Sequence, residues 1–181
     1  MSSSYRRALD APEGELVVLS RSLVEEVVVA SRTSPRRRII QPFHKSDADL
    51  LHRMLNVIQP DSYVRPHWHL EPPKAEAWVL LRGALAFFTF EEDGLVRDCL
   101  SLEAGGENFG VDLAPGIFHG LVALAPDTVI FEVENGPYAP ANDKAFAAWA
   151  PAEGTPEAAG YLAFLREEFR RRPPEHAGRH S

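Results

Sequence analysis

The chain has 181 residues, 45% hydrophobic and 25% charged, with a formal net charge of −7, which is the composition of one globular domain long enough to bury a core. The acidic balance excludes a general duplex-binding surface, which needs a cationic face, and the arginine clusters at 36–38 and 170–172 are too short to supply one. Cys99 is the single cysteine, so no internal disulfide can form, and no apolar run approaches the ~18 residues that span a bilayer.

The opening "MSSSYRRALDAPEGE" has no apolar signal-peptide core behind it, so a cytoplasmic protein without membrane or nucleic-acid partners is expected. Residues 1–19 read as a loose leader, with room for an edge strand at "ELVVL". In "SRSLVEEVVVASR", Ser22 followed by Glu25 has the spacing of a capping box, and Leu23, Val24, Val27 and Val28 share one helical face. After the break "TSPRRR", "SDADLLHRMLNVIQP" predicts a second helix. Ser46 would be its cap, Asp47 and Asp49 its first turn, and Leu50, Leu51, Met54, Leu55 and Ile58 its apolar stripe, with Pro60 as the stop. His52 falls off that stripe and is expected to face solvent.

From 62 to about 134 the texture changes to short segments rich in Val, Leu, Phe and Trp, separated by turn signals such as "EEDG", "EAGGEN" and "APD". Short strands at regular spacing predict an all-β sandwich or barrel. A Pro- and Ala-rich connection follows. A last helix is then predicted, with Thr155 as cap, Pro156 at its first position, Leu162, Leu165 and Phe169 on one face, and Pro173 and Pro174 as its end. The expected organisation is a leader with helices over 1–61, a β-barrel core over 62–135, and a C-terminal connection and helix over 136–181.

The candidate chemistry lies in "SYVRPHWHLEPPKAEAWVLLRG". Residues i and i+2 of a strand share a face, so His67 and His69 project together. Glu76 reaches the same point if its strand pairs with theirs, and His119 follows the turn in "APGIFHG". Three imidazoles and a carboxylate suit one divalent first-row metal and leave positions open for water or substrate. Extending the alternation backwards turns Tyr63 and Arg65 inward as candidate substrate contacts, the arginine suiting a carboxylate, phosphate or sugar acid. Trp78 shares a face with Glu76 and could wall the metal. In "TVIFEVEN", the face carrying Glu132 and Glu134 reads either as solvent-exposed or, for Glu132, as a general base directed into the barrel.

"DSYVRPHWHLEPPKAEAWVLLRG" resembles the first cupin motif, and "LAPGIFH" the second. The resemblance implies a jelly-roll barrel with flanking N- and C-terminal helices and one divalent metal ion per chain (Fe, Mn, Zn or Ni), held by His67, His69, Glu76 and His119. Gly83 matches the closing glycine of the first motif and Gly116 the turn glycine of the second. The sequence departs from the pattern at Asp61 and Ala123, in the place of Pro115, and in the six residues between His69 and Glu76. Together with "EAWVLLRG", "FHGLVAL", "FEVENGPYAP" and "DKAFAAWAPAEG", these stretches resemble the WbuC-type cupin-fold metalloproteins, some of them linked to surface-polysaccharide gene clusters. The expected partner is a small polar, sugar-like or anionic molecule, and a homodimer is expected by analogy. Three activities fit: a metal-dependent isomerase or epimerase, an Fe(II)-dependent dioxygenase, and a non-enzymatic module that binds or senses a metal or small ligand.

Overall fold

Residues 6–69, 73–139 and 144–172 are described by a computed structural model. In chain order they form α1 (Arg21–Thr33), β1 (Arg38–Pro42), β2 (Leu51–Ile58), β3 (His67–His69), β4 (Glu76–Arg82), β5 (Ala84–Phe90), β6 (Val96–Glu103), β7 (Gly110–Leu113), β8 (Phe118–Ala123), β9 (Thr128–Asn135), β10 (Lys144–Phe146) and α2 (Pro156–Arg171). The strands make two five-stranded antiparallel sheets, β1-β2-β9-β4-β7 and β10-β3-β8-β5-β6.

The two sheets pack face to face. Ile58, Trp78, Leu80 and Ile130 of the first meet Leu85, Phe87, Leu121 and Ala123 of the second. Each outer face is partly covered by a helix. Val27 and Val28 of α1 lie on Leu55, Val57 and Val129, and Ala158, Leu162 and Leu165 of α2 lie on Ala86, Phe88 and Val122. This double cover explains why β5 reads "ALAFFTF" without alternation: Leu85 and Phe87 face the barrel, while Ala86 and Phe88 face α2. Each fully buried side chain of this size contributes about 1.5–3 kcal/mol.

Several expectations change. The second helix is a strand: β2 pairs with β1 on one side and along its whole length with β9 on the other. Its apolar positions fit either period, because Met54 and Ile58 face the barrel while Leu55 and Val57 face α1. Ser46 does act as a cap, but of a turn, its Oγ accepting from Ala48 N (3.1 Å). The first sheet therefore draws β1 and β2 from before residue 62. Ser20, two residues before the expected cap, closes α1 by accepting from Leu23 N (3.2 Å). "ELVVL" forms no strand; Ala8 instead bridges Ile40 of β1. α2 starts at Pro156 with Thr155 in the cap position, but the Thr155 hydroxyl donates to the carbonyl of Ala152 (2.9 Å) and does not cap the helix, while Pro173 and Pro174 lie outside the described residues. No helix among the described residues is long and apolar enough to cross a membrane.

Candidate metal centre

β3 and β8 run side by side, with His67 directly opposite His119. Their rings lie 4.7 Å apart, centre to centre, and His69 completes a buried trio with one nitrogen of each imidazole within 4.8 Å of the others. Glu76 does not come from a strand paired with β3. β4 belongs to the facing sheet, and its first residue reaches across the barrel. Glu76 Oε1 lies 3.0 Å from His69 Nε2 and 3.3 Å from His119 Nε2. Trp78, two residues on and on the same face, donates from Nε1 to Glu76 Oε2 (3.2 Å) and so fixes which oxygen faces the imidazoles.

The tautomers follow from the partners. A backbone carbonyl can only accept, so Nδ1 of His67 must donate to the carbonyl of Arg65 (2.9 Å) and Nδ1 of His119 to that of Ile117 (3.0 Å). Burial lowers the pKa of both rings, that of His67 well below the ordinary histidine value. A neutral ring that donates from Nδ1 to a carbonyl presents a lone pair at Nε2, where a metal could bind; at His67 that lone pair accepts from Lys144 Nζ. Burial alone would raise Glu76, but the His69 contact and the neighbouring imidazoles outweigh it and hold the carboxylate near pKa 2. Nε2 of His119 is buried without a hydrogen-bond partner among the described residues and faces Glu76 Oε1. An orphaned buried imidazole nitrogen beside a carboxylate oxygen, with two further imidazoles within reach, is a donor set that fits a divalent metal.

The site opens into a cavity of about 300 Å³. His67, Glu76, Trp78 and Arg65 line it. Trp78 stands edge-on to Phe87 and to His119 (5.3 and 5.6 Å), a wall on one side of the imidazoles. Glu132 also lines the cavity and is buried, not solvent-facing; burial and the neighbouring Glu76 and Glu134 push its pKa up to about 7. Tyr63 is a correction. Residues 62–66 form no strand, so the alternation does not extend back from His67. The Tyr63 ring packs among Ala86, Phe88 and Leu162 beneath α2, with its hydroxyl donating to the carbonyl of Pro151 (3.0 Å), and it has no place in the cavity lining.

Sequence reasoning missed two further groups and did not place a third, Lys144. Glu134 shares the inward face of β9 with Glu132 and comes 3.5 Å from His69 Nε2, so His69, Glu76 and Glu134 form a second cluster able to hold a metal. The parity of Ile130, a core residue, was the available signal. His52 is buried, stacked on His44 at 4.0 Å and 3.8 Å from Glu134, because β2 is a strand. Lys144 on β10 donates from Nζ to His67 Nε2 (3.0 Å). At the cavity rim Glu153 binds Arg36 through both oxygens (2.6 and 2.9 Å) and Arg38 at 2.7 Å.

A family model described as a domain of unknown function (DUF6016) matches residues 19–102. No curated protein matches. Among solved structures, a Klebsiella pneumoniae protein described as an uncharacterized conserved protein with a double-stranded beta-helix domain is 20% identical over 75% of this chain and 98% of its own, with a TM-score of 0.50. The chain has the double-stranded β-helix, or cupin, fold. The L-ribose isomerase of Cellulomonas parahominis is 17% identical, with 62% of this chain and 70% of that one covered and a TM-score of 0.50. The capsular polysaccharide assembling protein CapF of Staphylococcus aureus is 19% identical over 59% of this chain at a TM-score of 0.46, and this chain spans only 28% of that one's length.

Proposed function

We propose that this cupin holds one divalent metal ion through His67, His69, His119 and Glu76 and acts on a small polar, sugar-like or anionic molecule. The observation that carries the reading is the convergence of three buried imidazoles with the Glu76 carboxylate, whose Oε1 lies 3.0 Å from His69 Nε2 and 3.3 Å from His119 Nε2. A bound divalent ion would supply Lewis-acid polarisation of a substrate oxygen. The chain's own residues do the rest. The carbonyls of Arg65 and Ile117 orient two imidazoles, and the Trp78 indole orients Glu76 while its ring keeps water from one side. Glu132, buried in the cavity wall and accepting from Asn56 Nδ2 (3.1 Å), is the group positioned to hold or release a proton there.

This combination supports an isomerase or epimerase, and a WbuC-type protein of surface-polysaccharide metabolism working as a homodimer is the finer form of the proposal. The test uses protein loaded separately with Zn(II), Mn(II) and Fe(II), incubated in D2O with a panel of aldoses, ketoses and sugar acids. Deuterium entering next to the carbonyl without oxygen uptake, and lost in Glu132→Gln, is the expected result. Oxygen uptake confined to the Fe(II) form would replace the proposal with a dioxygenase. Ligand retention without any turnover would leave a binding module.

A further inference from the structure

Two cations on the His67 side of the cavity make no ion pair among the described residues. Arg65 donates from Nη2 to the carbonyl of Ala147 (2.7 Å) and lies over the Phe146 ring, while its Nε is buried without a hydrogen-bond partner. Lys144 touches His67 Nε2 through its ammonium, and both side chains line the cavity. Of the other charged groups of the lining, Arg36 and Arg38 are answered by Glu153, Glu76 by Trp78 and two imidazoles, and Glu132 by Asn56, while Arg7 is exposed. In a chain of net charge −7, two cations without a direct ion pair beside His67, Lys144 acting on Glu76 and Glu132 only at longer range, are complementary to an anion.

The chemistry narrows further at His67. Lys144 Nζ sits on the Nε2 lone pair that a divalent ion would take, so loading the site would push the ammonium aside, and a negatively charged oxygen would reconcile the two like charges. The guanidinium of Arg65 adds the planar donor geometry that suits a carboxylate. A neutral polyol offers neither feature. We infer that the substrate carries a carboxylate, held by Lys144 and Arg65 beside His67, which makes its class a small hydroxy acid or sugar acid and not a neutral sugar. The inference rests on the metal reading for the like-charge argument and on the unpaired cations independently of it.

Isothermal titration of glycolate, D-gluconate and D-glucuronate against their neutral counterparts ethylene glycol, sorbitol and D-glucose tests this, on Zn(II)-loaded protein whose metal content is measured in the same samples. At least one acid binds about tenfold or more tighter than its counterpart, and Lys144→Met removes that preference while metal content and unfolding midpoint stay unchanged. Should Lys144→Met fail to fold, Arg65→Gln is read in the same way. Acids binding no tighter than their counterparts, inorganic phosphate binding tighter than every acid, or a folded Lys144→Met keeping the preference would each overturn it. If the wild type takes up no metal, the metal reading fails by itself. The acid-against-neutral comparison on the metal-free protein still decides whether the cation pair binds a carboxylate.

Discussion

Trp78→Phe separates the packing of the barrel core from the setting of the site, because one side chain serves both. The indole is 5% exposed, packs edge-on against Phe87 and His119, and donates to Glu76 Oε2. Replacement by phenyl removes two buried carbons, worth about 1.6 kcal/mol at ~0.8 kcal/mol per buried methylene-sized group. It also leaves an oxygen of an ionised, buried carboxylate without its donor, at a cost of about 1.5–3 kcal/mol. The expected loss is therefore roughly 3–4.5 kcal/mol in urea unfolding followed by far-UV circular dichroism, with EDTA present so that metal binding adds nothing to the native state. Without the indole, Glu76 is free to turn its oxygens away from the imidazoles, and the affinity for added Zn(II) should fall by about 10–100-fold, the usual effect of losing an outer-shell partner. A loss below about 1 kcal/mol, or an unchanged Zn(II) affinity, would refute the assignment of Trp78 as the group that holds Glu76.

Glu153, partly buried, is held below the ordinary carboxylate range because Arg36 and Arg38 outweigh the upward push of burial. Its folded-state pKa is depressed, so its contribution is complete above the unfolded pKa of ~4.3 and is lost as pH falls through the folded value. Glu153→Gln should accordingly lower the urea midpoint at pH 7 and flatten its decline below about pH 4.3, read from midpoints across that range. Gly83→Ala should cost upwards of ~1–2 kcal/mol in the same unfolding assay. Its φ is +76° and a Cβ there would come 2.6 Å from Thr128 Oγ1 and 3.0 Å from Thr128 Cα, a contact with backbone that cannot yield. Phe88→Ala, fully buried between β5 and α2, should cost about 3–5 kcal/mol while leaving Zn(II) affinity unchanged, because its ring faces away from the barrel.

Much of the fold and part of the site were legible in the sequence. The i, i+2 spacing of His67 and His69 and the turn before His119 carry their own geometry, because period-2 alternation and turn chemistry are local. Glu76 was legible only through its motif: β4 lies in the facing sheet, and no local rule brings it across to β3. The stretch at 46–58 misled because a strand buried on both faces has no single apolar face, and its residues satisfy a helical stripe equally well. That error hid His52, which reaches Glu134 only when β2 is a strand. Glu132 and Glu134 look solvent-facing because carboxylates are rarely buried; the inward direction of Ile130 on the same face overrules that prior. Tyr63 failed for the opposite reason, since alternation was carried into residues that form no strand. Lys144 meets His67 through the pairing of β10 with β3, a contact far apart in sequence that no spacing rule announces.

The measurement closest to the central claim is elemental analysis by mass spectrometry of protein purified without chelator or a nickel column, beside a His67→Ala/His69→Ala double variant shown to be folded by circular dichroism. The account predicts about one divalent first-row metal per chain in the wild type and none in the folded variant. A metal-free wild type that stays so after exposure to Fe(II), Mn(II), Ni(II) and Zn(II), or a double variant that retains its metal, would contradict it.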